Sequence, residues 1–93
     1  MKKKITQLPV SIKIGRKTYE VELVNALPHD YNGRIYFEEK VIKILRTGKR
    51  KMQEVFWHEV LHAILYDMRR HDLNNEAFVK AFCKRLYQVL EEV

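Results

Sequence analysis

The stretch KRKMQEVFWHEVLHAILYDMRR, residues 49–70, decides the fold, because it contains neither glycine nor proline and its middle is almost uniformly apolar. A segment of this length without helix breakers predicts a helix, and apolar residues on all of its sides predict that the helix is buried. Between Val55 and Met68 the charged residues are Glu59 and Asp67 alone. We therefore expect one buried helix at the centre of the fold.

The residues before this helix alternate between apolar and polar, which is the period of β-strands. Residues 10–14 and 18–24 read as two strands joined by a tight turn at Gly15, and therefore as a hairpin. Residues 27–33 read as a loop. Residues 34–38 and 40–46 read as a second hairpin, with Glu39 near its turn.

A polar break at residues 71–75 follows the central helix and offers Asp72, Asn74 and Asn75 as N-caps for a second helix. That helix reaches the C-terminus with an apolar stripe of Phe78, Phe82, Leu86, Val89 and Val93, flanked by Val79, Cys83 and Leu90. The sequence thus predicts a single α+β domain over residues 1–93. We expect a small antiparallel β-sheet of two hairpins, then the buried helix and a C-terminal helix.

The composition is that of a globular domain, with 46% apolar and 32% charged residues. One cysteine excludes an intramolecular disulfide and a Cys₄ or Cys₂His₂ zinc module. No apolar run approaches the length of a membrane span, and residues 1–9 lack the apolar core of a signal peptide. We therefore predict a cytoplasmic protein with no membrane partner.

The net charge of +6 is concentrated in residues 1–57, which carry 13 Lys or Arg against 6 Asp or Glu. Basic clusters occur at residues 2–4 and 46–51. Such a face is able to bind phosphates, but a solubilising surface is the interpretation we favour. Nucleic acid is kept as an alternative partner.

The central helix contains the pattern His-Glu-x-x-His at His58, Glu59 and His62. Residues i and i+4 share one helix face, so both imidazoles are able to bind one zinc ion. Glu59 lies about 100° around the helix from His58. It is too far round to be an easy ligand, but close enough to take a proton from a water held by the metal. Without such partners, burial of these three groups would cost several kcal/mol.

A catalytic zinc site takes a third protein ligand and keeps a fourth position open. The downstream candidates are His71, Asp72, Glu76 and Cys83. Cys83 falls on the apolar side of the second helix and is better read as a small core residue. We favour Glu76, because a helix antiparallel to the first would bring it over the two histidines. His71 and Asp72 stay open as alternatives, and Glu76 has a competing role in an i,i+4 pair with Lys80.

His58-Glu59-x-x-His62, followed by Asn75-Glu76-Ala77, resembles the gluzincin branch of zinc metallopeptidases. The layout over residues 10–93 is similar to the single-domain minigluzincins and to short proteins of the ImmA/IrrE type. This resemblance implies His58, His62 and Glu76 as ligands of one zinc ion per chain and Glu59 as general base and acid. It also implies that a strand of the second hairpin holds an extended peptide or protein substrate by backbone pairing.

The chain departs from the larger gluzincins in two ways. The spacing from His62 to Glu76 is shorter, and a C-terminal subdomain with its oxyanion-stabilising residue has no counterpart. Tyr66, His71 and Tyr87 are candidates for that role, which the sequence does not rank. A cleft with one wall binds substrate weakly. We therefore predict a narrow target or a latent state in which residues 1–8 or the tail after Leu90 cover the metal.

The sequence predicts a zinc-dependent metallopeptidase. The alternative is a metal-stabilised module that binds protein or nucleic acid without hydrolysis. Glu59 distinguishes the two readings, because a structural zinc site needs no base beside the metal and usually takes four protein ligands.

Overall fold

The computed structural model of the chain describes residues 8–93. A 3₁₀ turn at Pro28–Asp30 connects the two hairpins. The other elements of this part of the chain, in order, are β1 (Ser11–Ile14), β2 (Lys17–Val24), β3 (Gly33–Tyr36), β4 (Val41–Leu45), α1 (Lys49–Asp67) and α2 (Glu76–Glu92). Both hairpins, β1–β2 and β3–β4, are antiparallel, and the predicted α+β class is confirmed.

The sheet is mixed rather than antiparallel throughout, which corrects the prediction. Its strand order is β1-β2-β4-β3, and β2 pairs with β4 in parallel, from Glu20 opposite Val41 to Val24 opposite Leu45. The second hairpin thus inserts β4 next to β2 and leaves β3 at the edge. The physical reason lies in β4, whose Ile42 and Ile44 are fully buried. A strand this apolar is more stable in the centre of a sheet than at its margin.

Helix α1 lies between the sheet and α2, so two of its faces are buried. Phe56, Val60 and Ala63 pack against the strands, where Tyr19 is also buried. A second cluster joins α1 to α2 and consists of Leu61, Leu65, Val79 and Cys83. The prediction of a buried helix holds for these faces, whereas Ile64, Tyr66 and Met68 are more than a third exposed. Helix α2 turns Val79 and Cys83 inward and leaves Phe82 and Val89 exposed, as is Val93 after its end.

Helix α1 ends at Asp67, three residues earlier than predicted. Arg69 takes a left-handed conformation with φ of 58°. Its N–H donates to the carbonyl of Tyr66, and the N–H of Arg70 donates to the carbonyl of Leu65. These two bonds form a Schellman motif, which satisfies the last carbonyls of the helix and turns the chain toward α2.

Neither α1 nor α2 combines the length and the apolar character that a membrane crossing requires, and no other helix of residues 8–93 does so.

Candidate metal centre

Three side chains from the two helices converge at one point. Nε2 of His58 and Nε2 of His62 lie 3.2 Å apart. The Glu76 carboxylate faces both, with Oε2 at 3.2 Å from His58 Nε2 and Oε1 at 2.8 Å from His62 Nε2. Among the His, Cys, Asp and Glu residues of the described chain, these three form a group whose ligand atoms all lie within 4.8 Å of one another. The structure therefore brings the three predicted ligands together.

The start of α2 places Glu76. Asn75 caps the helix, and its side-chain Oδ1 accepts a hydrogen bond of 2.9 Å from the N–H of Phe78. Glu76 is consequently the first residue of the helix and points back toward α1. Its predicted competing pair with Lys80 is absent from the ion pairs of residues 8–93, because the carboxylate is turned to the histidines.

Asn74 orients the imidazole of His62. Its Oδ1 lies 2.6 Å from Nδ1 of His62, and its Nδ2 donates to the backbone carbonyl of the same residue at 3.3 Å. The second contact fixes the amide orientation, so Oδ1 accepts a hydrogen bond from the N–H at Nδ1. Nε2 of a neutral His62 then presents a lone pair to the Glu76 carboxylate. In this tautomer the lone pairs of His62 Nε2 and Glu76 Oε1 would face each other at 2.8 Å.

The donor set fits a zinc ion. Atoms bound to zinc at about 2.0–2.1 Å with tetrahedral angles lie about 3.3–3.4 Å from one another. The three separations at this site, 2.8–3.2 Å, are close to that edge length. A cation would also resolve the contact between the lone pairs of His62 and Glu76. The Glu76 side chain is 77% exposed, which leaves an open side for a further ligand.

Burial shapes the protonation of the neighbouring groups. Desolvation lowers the pKa of His58, against the opposing effect of the Glu76 carboxylate, and thereby favours the neutral imidazole that metals bind. Burial also raises the pKa of Glu59 to about 7, helped by the charge of Glu76 and opposed by His62. Glu59 is 8% exposed and does not belong to the group of ligand atoms.

The other candidate ligands lie elsewhere. Asp72 forms a two-bond ion pair with Arg70, at 2.9 and 3.0 Å, which lowers the pKa of its carboxyl to about 2. His71 packs edge-on against Tyr66 with ring centroids 5.8 Å apart. Cys83 is buried in the cluster between the helices, with its Sγ 3.9 Å from the carbonyl oxygen of Glu54. The preference for Cys83 as a core residue therefore agrees with its position.

A groove of about 1090 Å³ contains the candidate metal centre and runs between α1, α2 and the edge strand. Strand β3 forms one wall, and Gly33 lies against α1 so closely that an added Cβ would be 3.5 Å from Oε2 of Glu59 and would clash with Val55. Of the three oxyanion candidates, Tyr87 lines this groove, whereas Tyr66 and His71 line a separate depression near Gly15.

The C-terminal residues do not cover the site. Leu90 belongs to α2, about 21 Å along the helix from Glu76. Glu91 accepts two hydrogen bonds from Arg50, at 2.7 and 2.9 Å, which join the end of α2 to the start of α1. The predicted covering by the tail after Leu90 is therefore wrong in this structure. The other predicted cover, residues 1–8, falls outside the described residues except for Leu8, which packs against the sheet cluster. The basic cluster at residues 2–4 lies outside them as well.

Two residues of the site escaped the sequence interpretation. Asn74 was considered only as a helix cap, and Gly33 only as part of a loop. A polar residue just before the predicted third ligand and a glycine at the start of the edge strand are the sequence features that could have identified them.

Searches against protein-family models, curated proteins and solved structures give no match to this chain.

Proposed function

We propose that this chain is a zinc-dependent metallopeptidase that hydrolyses peptide bonds, with His58, His62 and Glu76 as metal ligands and Glu59 as general base. The observation that carries the proposal is the convergence of two imidazole Nε2 atoms and one carboxylate at near-tetrahedral separations. Three ligands with an open side are typical of catalytic zinc, whereas structural zinc usually has four.

The chain's own groups supply the rest of the chemistry. A bound zinc ion would act as a Lewis acid that polarises water and the scissile carbonyl. Glu59 lines the same groove and would accept the proton of the attacking water, then pass it to the leaving amine. Asn74 would hold the His62 ring in place.

The edge strand suits an extended peptide. Within residues 8–93, β3 pairs with β4 on one side only, so its other edge offers N–H and C=O groups that no described strand pairs. Gly33, Arg34 and Ile35 of this strand line the groove that contains the candidate metal centre. A substrate strand added here would pass beside Glu59.

Zinc content and cleavage, measured together, test this function. Protein purified without a metal-affinity column should contain about one zinc per chain and cleave members of a quenched peptide library. Glu59→Gln should keep the zinc and lose cleavage, while His58→Ala should lose both. Cleavage by Glu59→Gln would remove Glu59 from the mechanism. Zinc without any cleavage would favour the metal-stabilised binding module.

Latency through residues 1–7 belongs to the same proposal. It is tested by comparing the full chain with a chain that begins at Leu8, on the same peptide library. Faster cleavage by the shorter chain is expected, and equal rates would exclude a covering role for this segment.

A further inference from the structure

Charged side chains of both signs line the groove around the candidate metal centre. Its cationic lining residues are Arg34, Arg50, Lys51, Lys80 and Lys84. Its acidic lining residues are Glu54, Glu59, Glu76 and Glu91. The numbers are nearly equal, but among the described residues Arg50 is the only cation of this lining that pairs with its acidic residues.

The acidic groups are already engaged. Glu76 contacts the two histidines, and Glu59 is buried beside them. Glu54 and Glu91 both bind Arg50, at 3.3 and 2.7 Å. A single cation thus holds the acidic groups at the far end of the groove.

The remaining cations are free within residues 8–93. None of Lys51, Lys80 and Lys84 takes part in an ion pair in this part of the chain. Arg34 lies over the rings of Tyr31 and Tyr36, at 5.6 and 5.2 Å, contacts that leave its charge uncompensated. A divalent ion at the metal centre would increase the positive potential further.

The two lysines of α2 form a row that leads away from the metal centre. Glu76, Lys80 and Lys84 follow one another at intervals of four residues, so they lie about 6 Å apart along one face of the helix. In an extended peptide, alternate side chains point the same way and lie about 6.6 Å apart. The spacing of the lysines therefore matches every second residue of a bound strand.

We propose that the groove selects acidic peptides, with carboxylate side chains at the second and fourth positions from the scissile bond paired to Lys80 and Lys84. This inference rests on the proposed function, since it names the substrate class of the same site. It would also give a role to Lys51, a member of the basic cluster at residues 46–51 that lines the groove.

Binding, rather than cleavage, tests the inference. The probe is a fluorescein-labelled eight-residue peptide with glutamate at the second and fourth positions on each side of a central Ala–Leu bond. Fluorescence anisotropy with zinc-loaded Glu59→Gln protein should give an affinity at least about tenfold above that of the same peptide with lysine. The affinity for the acidic probe should also exceed the affinity for a peptide with glutamate at the first and third positions.

Charge reversal in the groove supplies the matched comparison. Lys84→Glu should weaken binding of the acidic probe about fivefold or more, with unchanged zinc content. Lys13→Glu makes the same change of net charge at an exposed position on β1 and should leave the affinity unchanged within about twofold.

Three results would overturn the inference. They are equal affinities for the acidic and basic probes, equal effects of Lys84→Glu and Lys13→Glu, and displacement of the acidic probe by oligothymidylate of equal charge at a lower concentration than by unlabelled peptide. The last would identify a nucleic-acid surface. Tight binding of the acidic probe without cleavage by the wild-type chain would contradict the peptidase proposal and leave the acidic preference standing.

Discussion

Oδ1 of Asn74 lies 2.6 Å from Nδ1 of His62, on the side of the ring opposite the Nε2 atom that faces Glu76. This contact fixes which imidazole nitrogen carries the proton, so Nε2 is free to bind a cation. Groups that orient a ligand in this way contribute substantially to metal affinity.

Asn74→Ala is therefore expected to weaken zinc affinity about 10–100-fold, because His62 loses the partner that holds its ring. Competition with a chromogenic chelator measures this. The control is Asn75→Ala, which removes the cap of α2 and costs about 1 kcal/mol of unfolding free energy. It should change zinc affinity far less. Equal losses would show that Asn74 acts on the helix and not on the imidazole.

Glu76→Gln tests whether Glu76, rather than Asp72, is the third metal ligand. The amide keeps the shape of the side chain but removes its negative charge, so zinc affinity should fall by at least about tenfold. Asp72→Asn should leave zinc affinity unchanged, since Asp72 is paired with Arg70. Metal analysis of both proteins after dialysis decides the matter. Zinc retained by Glu76→Gln and lost by Asp72→Asn would reverse the assignment.

Gly33→Ala should destabilise the fold by about 1–3 kcal/mol, because the new methyl group would overlap Cγ1 of Val55. Urea denaturation followed by circular dichroism measures the change. Gly48→Ala is the control: its added carbon meets nothing within 4 Å, and the loss of glycine at the N-cap of α1 is offset by the lower entropy of the unfolded chain. That variant should stay within about 0.5 kcal/mol of the wild type. Equal stability of the two variants would mean that β3 moves freely away from α1.

Gln53→Leu should raise the free energy of unfolding by about 1 kcal/mol. Gln53 is 4% exposed, and its Oε1 has no hydrogen-bond partner among the described residues. Leucine removes a buried acceptor that loses its hydration on folding. Gln88→Leu, at an exposed position of α2, should change stability much less. Destabilisation by Gln53→Leu in urea denaturation would indicate that Oε1 is satisfied in solution.

Cys83 should react slowly with thiol reagents. Burial raises the pKa of its thiol to about 11, so the thiolate fraction at pH 8 is about a hundredfold below that of an ordinary cysteine. Reaction with a disulfide dye should be slow in buffer and fast in urea. Because the pKa of the Cys83 thiol is higher in the folded than in the unfolded chain, the protonated thiol favours the folded state. This contribution to the free energy of unfolding is complete below about pH 9 and is lost toward pH 11. Equal dye reactivity in both solvents would contradict the buried position.

Periodicity predicted the elements but not their partners. The alternation in β2 and the apolar run of β4 indicate strands, yet nothing in either pattern says that the two lie side by side in parallel. The pairing of β2 with β4 depends on the length and path of the connection between the hairpins, which is a property of the whole chain.

The candidate site, too, could be predicted only in part from the sequence. The histidines were predictable because four residues of helix fix their relation, whereas the third ligand depends on where α1 ends. The left-handed Arg69 sets that point, and no glycine marks it. In the sequence, Asn74 and Asn75 are equally suitable as helix caps. The backbone of the turn determines that Asn75 caps α2 and that Asn74 contacts the imidazole of His62.

The dependence of α2 on α1 has a thermodynamic consequence. α2 packs on α1 and contacts none of the four strands, so it is the helix held by the smaller cluster. It also carries Glu76, and an ion that binds only the docked arrangement stabilises docking by about 2.7 kcal/mol at a hundred times its dissociation constant. Loss of the metal would therefore increase the rate of amide hydrogen exchange in α2, while exchange in the sheet stays slow. In a chain this short, metal occupancy and the integrity of the last helix would be one equilibrium rather than two.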